Sequence, residues 1–189
     1  MEKTRRRVRV MRRGWASVLG LALMALPCAV AGQTGIGAAE VRDEMMGRFE
    51  VAMGKFIALA EAMPPESYTW SPMEGVMEVG QVYMHVVRYN YLYPTQNMGL
   101  EAPPGLRMEE MEGVRAKEEV IRALRASMDW VREAVAGLDS GELQGETQLY
   151  GRTVPRWKVL VQLVSHMNEH LGQSIAYARM NGIVPPWSR

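Results

Sequence analysis

The sequence predicts an all-α protein, a bundle of four long helices. In four separate stretches the apolar residues recur at intervals of three and four, which is the spacing of an amphipathic helix. Clusters of proline and glycine separate these stretches, and no stretch of any length alternates apolar and polar residues as a half-buried strand does. Four helices that each bury one apolar stripe against the others form a four-helix bundle.

The first helix is predicted over residues 41–63. Its stripe has helical spacing and consists of Val41, Met45, Phe49, Ala52, Phe56, Leu59 and Met63. Pro64 and Pro65 end this helix because proline lacks the backbone N–H that would continue it. Residues 66–75 predict an ordered aromatic loop that contains Tyr68, Trp70 and Pro72.

The second helix carries one of the three histidines of the chain, His85. Its apolar residues are Val79, Val82, Tyr83, Val86, Tyr89 and Tyr93. Gly99 suits the cap at its carboxyl end. Its start is open, because residues 71–74 form a capping-box pattern that nearby glycines weaken, and we predict a start near Met77.

Two further helices are predicted in the second half of the chain. The third covers residues 108–137, with a stripe formed by Val114, Ile121, Leu124, Met128, Val131 and Val135. Residues 139–152 are rich in glycine and predict turns, with room for a short extended piece. The fourth helix is predicted to have Thr153 as its N-cap and Pro155 in its first turn, and to end at residues 181–182, Asn-Gly.

Residues 1–31 have the pattern of a secretory signal peptide. Seven basic residues precede an apolar run over residues 15–27, and the small residues 29–31 form an A-x-A cleavage pattern. The run is too short for a bilayer-spanning helix, which needs roughly 20 residues. We therefore expect an exported protein, periplasmic or secreted, whose mature form is a single domain over residues 32–189 without a stable membrane span.

Two other features of this segment bear on the export route. Arg12 and Arg13 leave the twin-arginine route open. Cys28 leaves open a lipid anchor, which we disfavour because Leu26 and Pro27 match poorly the small residues that such a signal prefers. Without Cys28 the domain has no cysteine, so we expect no disulfide in it.

The charge of the domain argues against a nucleic-acid-binding protein. Residues 1–31 hold seven of the 22 basic residues and one of the 21 acidic residues. The rest of the chain therefore has 15 basic and 20 acidic residues, a net charge of −5. Because affinity for phosphates depends on basic patches, this balance removes the main support for binding DNA or RNA.

The three histidines are the candidate metal ligands. His166 and His170 are four residues apart and so project from one face of a helix, where His85 on a facing helix can join them. Three imidazoles leave at least one position open on a divalent ion such as zinc, nickel or iron. The alternative for each histidine is an ordinary residue of the core or rim.

These residues resemble the DinB-like family over roughly residues 41–186. The resemblance is carried by Trp70-Ser71-Pro72, by Val79-Gly80-Gln81-Val82 before His85, and by residues 166–173 with the tail Asn181-Gly182-Ile183-Val184-Pro185-Pro186. It implies a four-helix bundle in which His85, His166 and His170 bind one metal ion. One departure is Glu78, where relatives often have Ser or Thr at the start of the second helix.

Four polar residues are candidates for orienting a ligand or touching a substrate. Gln81 and Tyr89 lie one helical turn on either side of His85, and Gln173 follows His166 by seven residues. Glu169 lies between the paired histidines. Each can equally be a polar residue at one end of the bundle.

The resemblance implies a metal-dependent enzyme that transfers a small thiol to an electrophile or hydrolyses a small molecule. A second reading is an inverted zinc protease, because residues 166–170 spell H-x-x-E-H, but no Asp or Glu follows Glu169 to serve as the further ligand. A third reading is a non-enzymatic bundle that binds a partner or ligand and keeps a structural or vestigial metal site. A homodimer through the long helices is plausible, since the domain has four tryptophans.

Overall fold

The computed structural model describes residues 36–188, which form five α-helices and one β-hairpin. The elements are α1 (Ala38–Ala62), α2 (Val79–Leu92), α3 (Lys117–Ala136), α4 (Ser140–Gln144), β1 (Glu146–Leu149), β2 (Arg152–Pro155) and α5 (Trp157–Met180). Short 3-10 or π turns cover Pro65–Thr69, Tyr93–Asn97, Met111–Gly113 and Pro186–Ser188. The predicted signal segment, residues 1–31, lies outside the described residues.

The four long helices form the predicted bundle. Helix α1 packs against α3 and α5, and α2 packs against the same two helices, so that α2 and α5 are direct neighbours. The stripes predicted from the sequence meet in the centre, where Phe49, Phe56, Tyr83, Leu124 and Leu160 are fully or almost fully buried. Each such side chain stabilises the fold by about 1.5–3 kcal/mol relative to an exposed one. The all-α, four-helix-bundle prediction is confirmed.

Helix α2 begins at Val79, two residues after the predicted start, and Gly80 is required there. A Cβ atom at position 80 would lie 3.0 Å from the carbonyl oxygen of Tyr68, which belongs to the preceding 3-10 turn. Tyr68 is itself held in place, since its buried hydroxyl donates a hydrogen bond of 2.8 Å to the carbonyl of Ala60. Gly80 therefore lets the first turn of α2, the helix that carries His85, pack closely against the preceding 3-10 turn.

The predicted start of the third helix is wrong. Helix α3 begins at Lys117, whereas residues 108–116 form turns that include the 3-10 turn Met111–Gly113. Met108, Met111 and Val114 still pack against the core, which explains their helix-like spacing. The turn is held by polar contacts, among them the guanidinium of Arg115, which donates a 2.5 Å hydrogen bond to the carbonyl of Glu112.

The predicted start of the last helix is also wrong, because a β-hairpin occupies residues 146–155. The hairpin is closed by Tyr150 and Gly151, whose φ angles of 49° and 73° make the two-residue turn that matches the twist of paired strands. Thr153 accepts a 2.8 Å hydrogen bond from Gln148 across the hairpin and so does not cap a helix. Helix α5 starts at Trp157 and ends as predicted, at residues 181–182.

The outer faces of the helices carry the charges. On α3, Glu118, Glu119, Arg122 and Arg125 are exposed, while Leu124 between them is buried. Between residues 36 and 188, no helix is long and apolar enough to cross a membrane.

Candidate metal centre

The three histidines of the chain meet at the seam between α2 and α5. One ring nitrogen from each of His85, His166 and His170 can be chosen so that all three lie within 4.8 Å of one another. The Nε2 atoms of His85 and His166 are 3.3 Å apart. The ring centroids are separated by 4.6 to 5.2 Å. The histidine cluster is therefore a set of three nitrogen donors that can hold one metal ion.

The donor set fits a divalent transition-metal ion. Two nitrogens that each lie about 2.0–2.1 Å from a zinc ion at a tetrahedral angle are about 3.3 Å apart. This is the separation between the Nε2 atoms of His85 and His166. Imidazole nitrogens suit zinc, nickel, copper and iron, whereas calcium and magnesium prefer oxygen.

Two of the rings are oriented by hydrogen bonds on their far sides. The Nδ1–H of His85 donates to the carboxylate of Glu112 at 2.8 Å, and the Nδ1–H of His170 donates to the amide oxygen of Gln173 at 2.8 Å. Gln173 is held in turn, since its amide donates to the hydroxyl of Tyr177 at 3.0 Å. Because Nδ1 carries the proton in both rings, Nε2 keeps its lone pair.

Burial favours the neutral form of two of the rings, those of His166 and His85. Burial lowers the pKa of His166 to about 3, and the neighbouring rings of His170 and His85 add to the effect. Burial also lowers the pKa of His85, although the carboxylate of Glu112 opposes the shift. A neutral imidazole has the free lone pair that metal coordination requires.

Glu112 is one residue of this centre that the sequence did not indicate. Burial by itself would raise the pKa of Glu112, but hydrogen bonds from His85 and Arg88 outweigh it and hold that pKa below its usual value. The Arg88 guanidinium donates to the carboxylate at 3.1 Å. Glu112 is 27 residues from His85 and lies in a segment predicted as helix, so no spacing connects the two. Gly113, directly after it, was the one sequence signal of a turn.

Of the four candidate neighbours predicted from the sequence, two contact the histidines through their side chains and two form no side-chain hydrogen bond within the described residues. The ring of Tyr89 lies between two histidines, with centroid distances of 4.6 Å to His85 and 4.3 Å to His166. The side-chain hydrogen bond that Gln173 forms with a histidine is to His170, three residues before it. Gln81 is half-buried and Glu169 is exposed, and neither forms a side-chain hydrogen bond with any residue between 36 and 188. Within the described part of the chain, Glu169 does not belong to the donor cluster.

A second aromatic layer extends the centre toward the hairpin. The ring of Tyr93 meets that of His166 edge to face, with centroids 5.6 Å apart and an interplanar angle of 85°. The Tyr93 hydroxyl forms a short hydrogen bond with the hydroxyl of Tyr150, and it accepts a 3.4 Å bond from Gln162. Helical spacing could have indicated Tyr93, four residues after Tyr89, and Gln162, four before His166. No spacing relates Tyr150 to them.

Comparisons with known proteins agree with this architecture. A model of the DinB family matches residues 39–189. Among solved structures, the chain is similar to a DinB-like protein from Bacillus cereus, with 18% identity and a TM-score of 0.67 over 76% of this chain and 95% of that one. It is similar also to a DinB-like protein from Bacillus subtilis, with 16% identity and a TM-score of 0.59 over 75% and 93% of the two chains. No curated protein sequence matches the chain.

Proposed function

Since the chain belongs to the DinB family, we propose that it binds one divalent metal ion through His85, His166 and His170. The observation that carries this proposal is the convergence of three ring nitrogens within 4.8 Å. Hydrogen bonds from His85 to Glu112 and from His170 to Gln173 support it, because both leave Nε2 available to the ion.

We propose further that the protein is an enzyme acting on a small molecule, either by transferring a thiol to an electrophile or by hydrolysis. When bound, a divalent ion in such a site supplies a Lewis acid that lowers the pKa of a thiol or water beside it. The side chains of the protein position the ligands and shape the site. Glu112 and Gln173 hold two rings in position, and Tyr89 lies against His85 and His166 as an aromatic wall.

Metal content tests the first part of the proposal. Zinc, nickel and iron all suit three imidazoles, so the ion is identified by elemental analysis of the protein purified from its native compartment. We expect one ion per chain in the wild type and none in His166→Ala. The matched control is Glu169→Gln, an exposed site on the same helix, which should keep the metal. Equal metal content in all three proteins would contradict the proposal.

Turnover tests the second part. The metal-loaded protein is incubated with a small thiol and a panel of aryl halides and epoxides, and with a panel of ester and amide substrates. We expect thiol-dependent product, or hydrolysis, that disappears in His166→Ala. Glu169→Gln should retain the activity, whereas an inverted zinc protease would lose it. If the loaded protein turns over nothing, the non-enzymatic role of a ligand-binding bundle replaces the enzymatic one.

We also propose that the protein is exported. The support is the pattern of residues 1–31, with seven basic residues, a short apolar run and an A-x-A site. Cell fractionation and N-terminal sequencing test it. We expect a mature protein that begins near residue 32 outside the cytoplasm, and a full-length protein in the cytoplasmic fraction would contradict this.

A further inference from the structure

A cleft lies between the β-hairpin and the first turns of α5. Its volume is about 340 Å³, and we call it the hairpin cleft. The hairpin lines it with Leu149, Arg152 and Val154, and α5 lines it with Trp157, Lys158 and Gln162. Clefts that bind small molecules have volumes of about 300–1,000 Å³, so this one can take a small ligand.

The hairpin and α5 each contribute one cation to the lining of the cleft. Leu149 is paired with Arg152, and alternation along the strands turns Leu149, Arg152 and Val154 to one face of the hairpin. Glu146 is paired with Pro155 and faces the other way. The lining thus contains two cations, Arg152 and Lys158, and no carboxylate. Within residues 36–188, neither cation forms an ion pair.

The positive charge of the cleft is opposite in sign to the net charge of the domain. Residues 32–189 have 15 basic and 20 acidic residues. Two unopposed cations in a cleft of such a domain give a local potential of opposite sign, which attracts an anion to that place rather than to the surface in general.

The rest of the lining is apolar and aromatic. The Nζ atom of Lys158 lies over the indole of Trp157, 5.5 Å from the ring centroid. Leu149 and Val154 complete an apolar wall beside it. A guanidinium and an ammonium next to an indole suit a carboxylate attached to an apolar or aromatic body, because the charge and the body each find a complementary surface.

The hairpin cleft borders the histidine cluster. Gln162 lines the cleft and donates a 3.4 Å hydrogen bond to the hydroxyl of Tyr93, whose ring packs against His166. Tyr150 reaches the same hydroxyl from the hairpin. Tyr150 holds a left-handed φ of 49°, which is unusual for a bulky residue, and it also lines the cleft. The Tyr93 side chain thus contacts a residue of each site.

We propose that the hairpin cleft binds the carboxylate of an apolar or aromatic small molecule, through Arg152 and Lys158. Its assignment as the outer part of the substrate site rests on the proposed function, whereas carboxylate binding itself does not. The substrate class that follows is an organic acid whose reacting atom lies toward the histidines and whose carboxylate lies under the hairpin.

The test compares two probes that differ in charge, naphthalene-1-carboxylate and naphthalene-1-methanol, on the metal-free full-length protein. We expect the carboxylate to bind about tenfold more tightly than the alcohol, since charged hydrogen bonds add about that much affinity. Its binding should weaken as ionic strength rises. In NMR spectra the carboxylate should shift the indole signal of Trp157 and leave that of Trp130, on α3, unchanged.

Two double variants locate the binding. The double variant Arg152→Gln with Lys158→Gln should lower the affinity for naphthalene-1-carboxylate to the affinity for naphthalene-1-methanol. Arg122→Gln with Arg125→Gln removes the same charge from the exposed face of α3 and should leave the carboxylate affinity as in the wild type. Equal affinities for the two probes, equal losses in both double variants, or a shift at Trp130 in place of Trp157 would overturn the proposal.

The outcome is separable from that of the metal proposal. If elemental analysis finds no metal but the carboxylate binds at Trp157, the proposed function fails and the cleft stands as a ligand site. If metal is found but the carboxylate does not bind there, the cleft proposal fails and the metal site stands.

Discussion

The α1–α3 seam and the α2–α5 seam both carry polar side chains between neighbouring helices, and the two are built in opposite ways. Between α1 and α3 the polar groups are surface ion pairs. Arg132 donates two hydrogen bonds to the carboxylate of Glu50, at 2.7 and 2.8 Å, and Arg125 donates one to Glu61 at 2.5 Å. Between α2 and α5 the polar groups are three imidazoles, which are largely buried and lie against one another.

The difference shows which seam needs a ligand. At the α1–α3 seam Arg125 and Arg132 each already have an anion, so these pairs are complete without any further group. At the α2–α5 seam three groups of the same kind turn their nitrogens toward one another, and burial lowers the pKa of His166 and of His85. A cation that accepts three lone pairs at once satisfies this arrangement. The first seam contributes to stability, and the second is suited to binding.

The largest effect is expected when the second seam loses a ring. Zinc at 100 times its Kd should stabilise the wild type by about 2.7 kcal/mol, because only the folded state binds it well. His166→Ala should abolish this stabilisation, and Arg125→Gln, at the other seam, should keep it in full. Thermal unfolding with and without zinc measures both. A zinc-dependent shift of Tm that remains in His166→Ala would contradict the claim that the α2–α5 seam binds the metal ion.

A smaller loss is expected when the orientation of one ring is disturbed. In Glu112→Gln the side chain still offers an oxygen to His85 but no longer carries the charge that pairs with Arg88. Groups that orient metal ligands in this way contribute about 10- to 100-fold in metal affinity. We expect a loss in that range, measured by competition with a metal chelator. Glu61→Gln is the control, and an equal loss in both variants would argue against an orienting role.

The pH dependence of stability should also come from the histidine seam. The pKa of His166 is about 3 in the folded protein and about 6.5 in an unfolded chain. Below pH 6.5 the unfolded state therefore binds more protons, and the stability of the metal-free protein should fall as the pH drops from about 6.5 toward 3. Urea unfolding at several pH values measures this fall. His166→Asn should make it shallower, and an unchanged slope would contradict the account.

The smallest effect is expected at the α1–α3 seam. Arg132→Gln removes both hydrogen bonds to Glu50, but the two side chains are 46% and 35% exposed. Exposed pairs of this kind contribute about 0.2–1 kcal/mol. Urea unfolding should show a loss within that range, with zinc affinity unchanged. A change in zinc affinity would mean that the two seams are coupled.

Much of the fold could be predicted from the sequence because it depends on local periodicity. The apolar stripe of α1 and the start of α2, two residues from the prediction, follow from helical spacing and from flanking prolines and glycines. The starts of α3 and α5 could not be predicted in this way. Contacts far apart in sequence hold Glu112 in a turn, and a left-handed Tyr150 closes the hairpin that contains Thr153.

The residues of the candidate site also fall into those that local spacing predicts and those that it does not. The four-residue spacing of His166 and His170 predicted a shared helix face that His85 on a facing helix could join, and the family resemblance, which the family model confirms, also implied these three ligands. Glu112 and Tyr150 come from segments that carry no periodic signal toward the histidines. Tertiary packing alone brings them to the site, so no reading of spacings would have found them.

The central claim is that all three rings share one ion, and X-ray absorption on the zinc-loaded protein tests it most directly. We expect one zinc per chain with three imidazole nitrogens at about 2.0–2.1 Å. His85→Ala, His166→Ala and His170→Ala should each remove one of these nitrogens or the metal itself. A bound zinc with fewer than three imidazole donors, or a spectrum that none of the three variants changes, would contradict the claim.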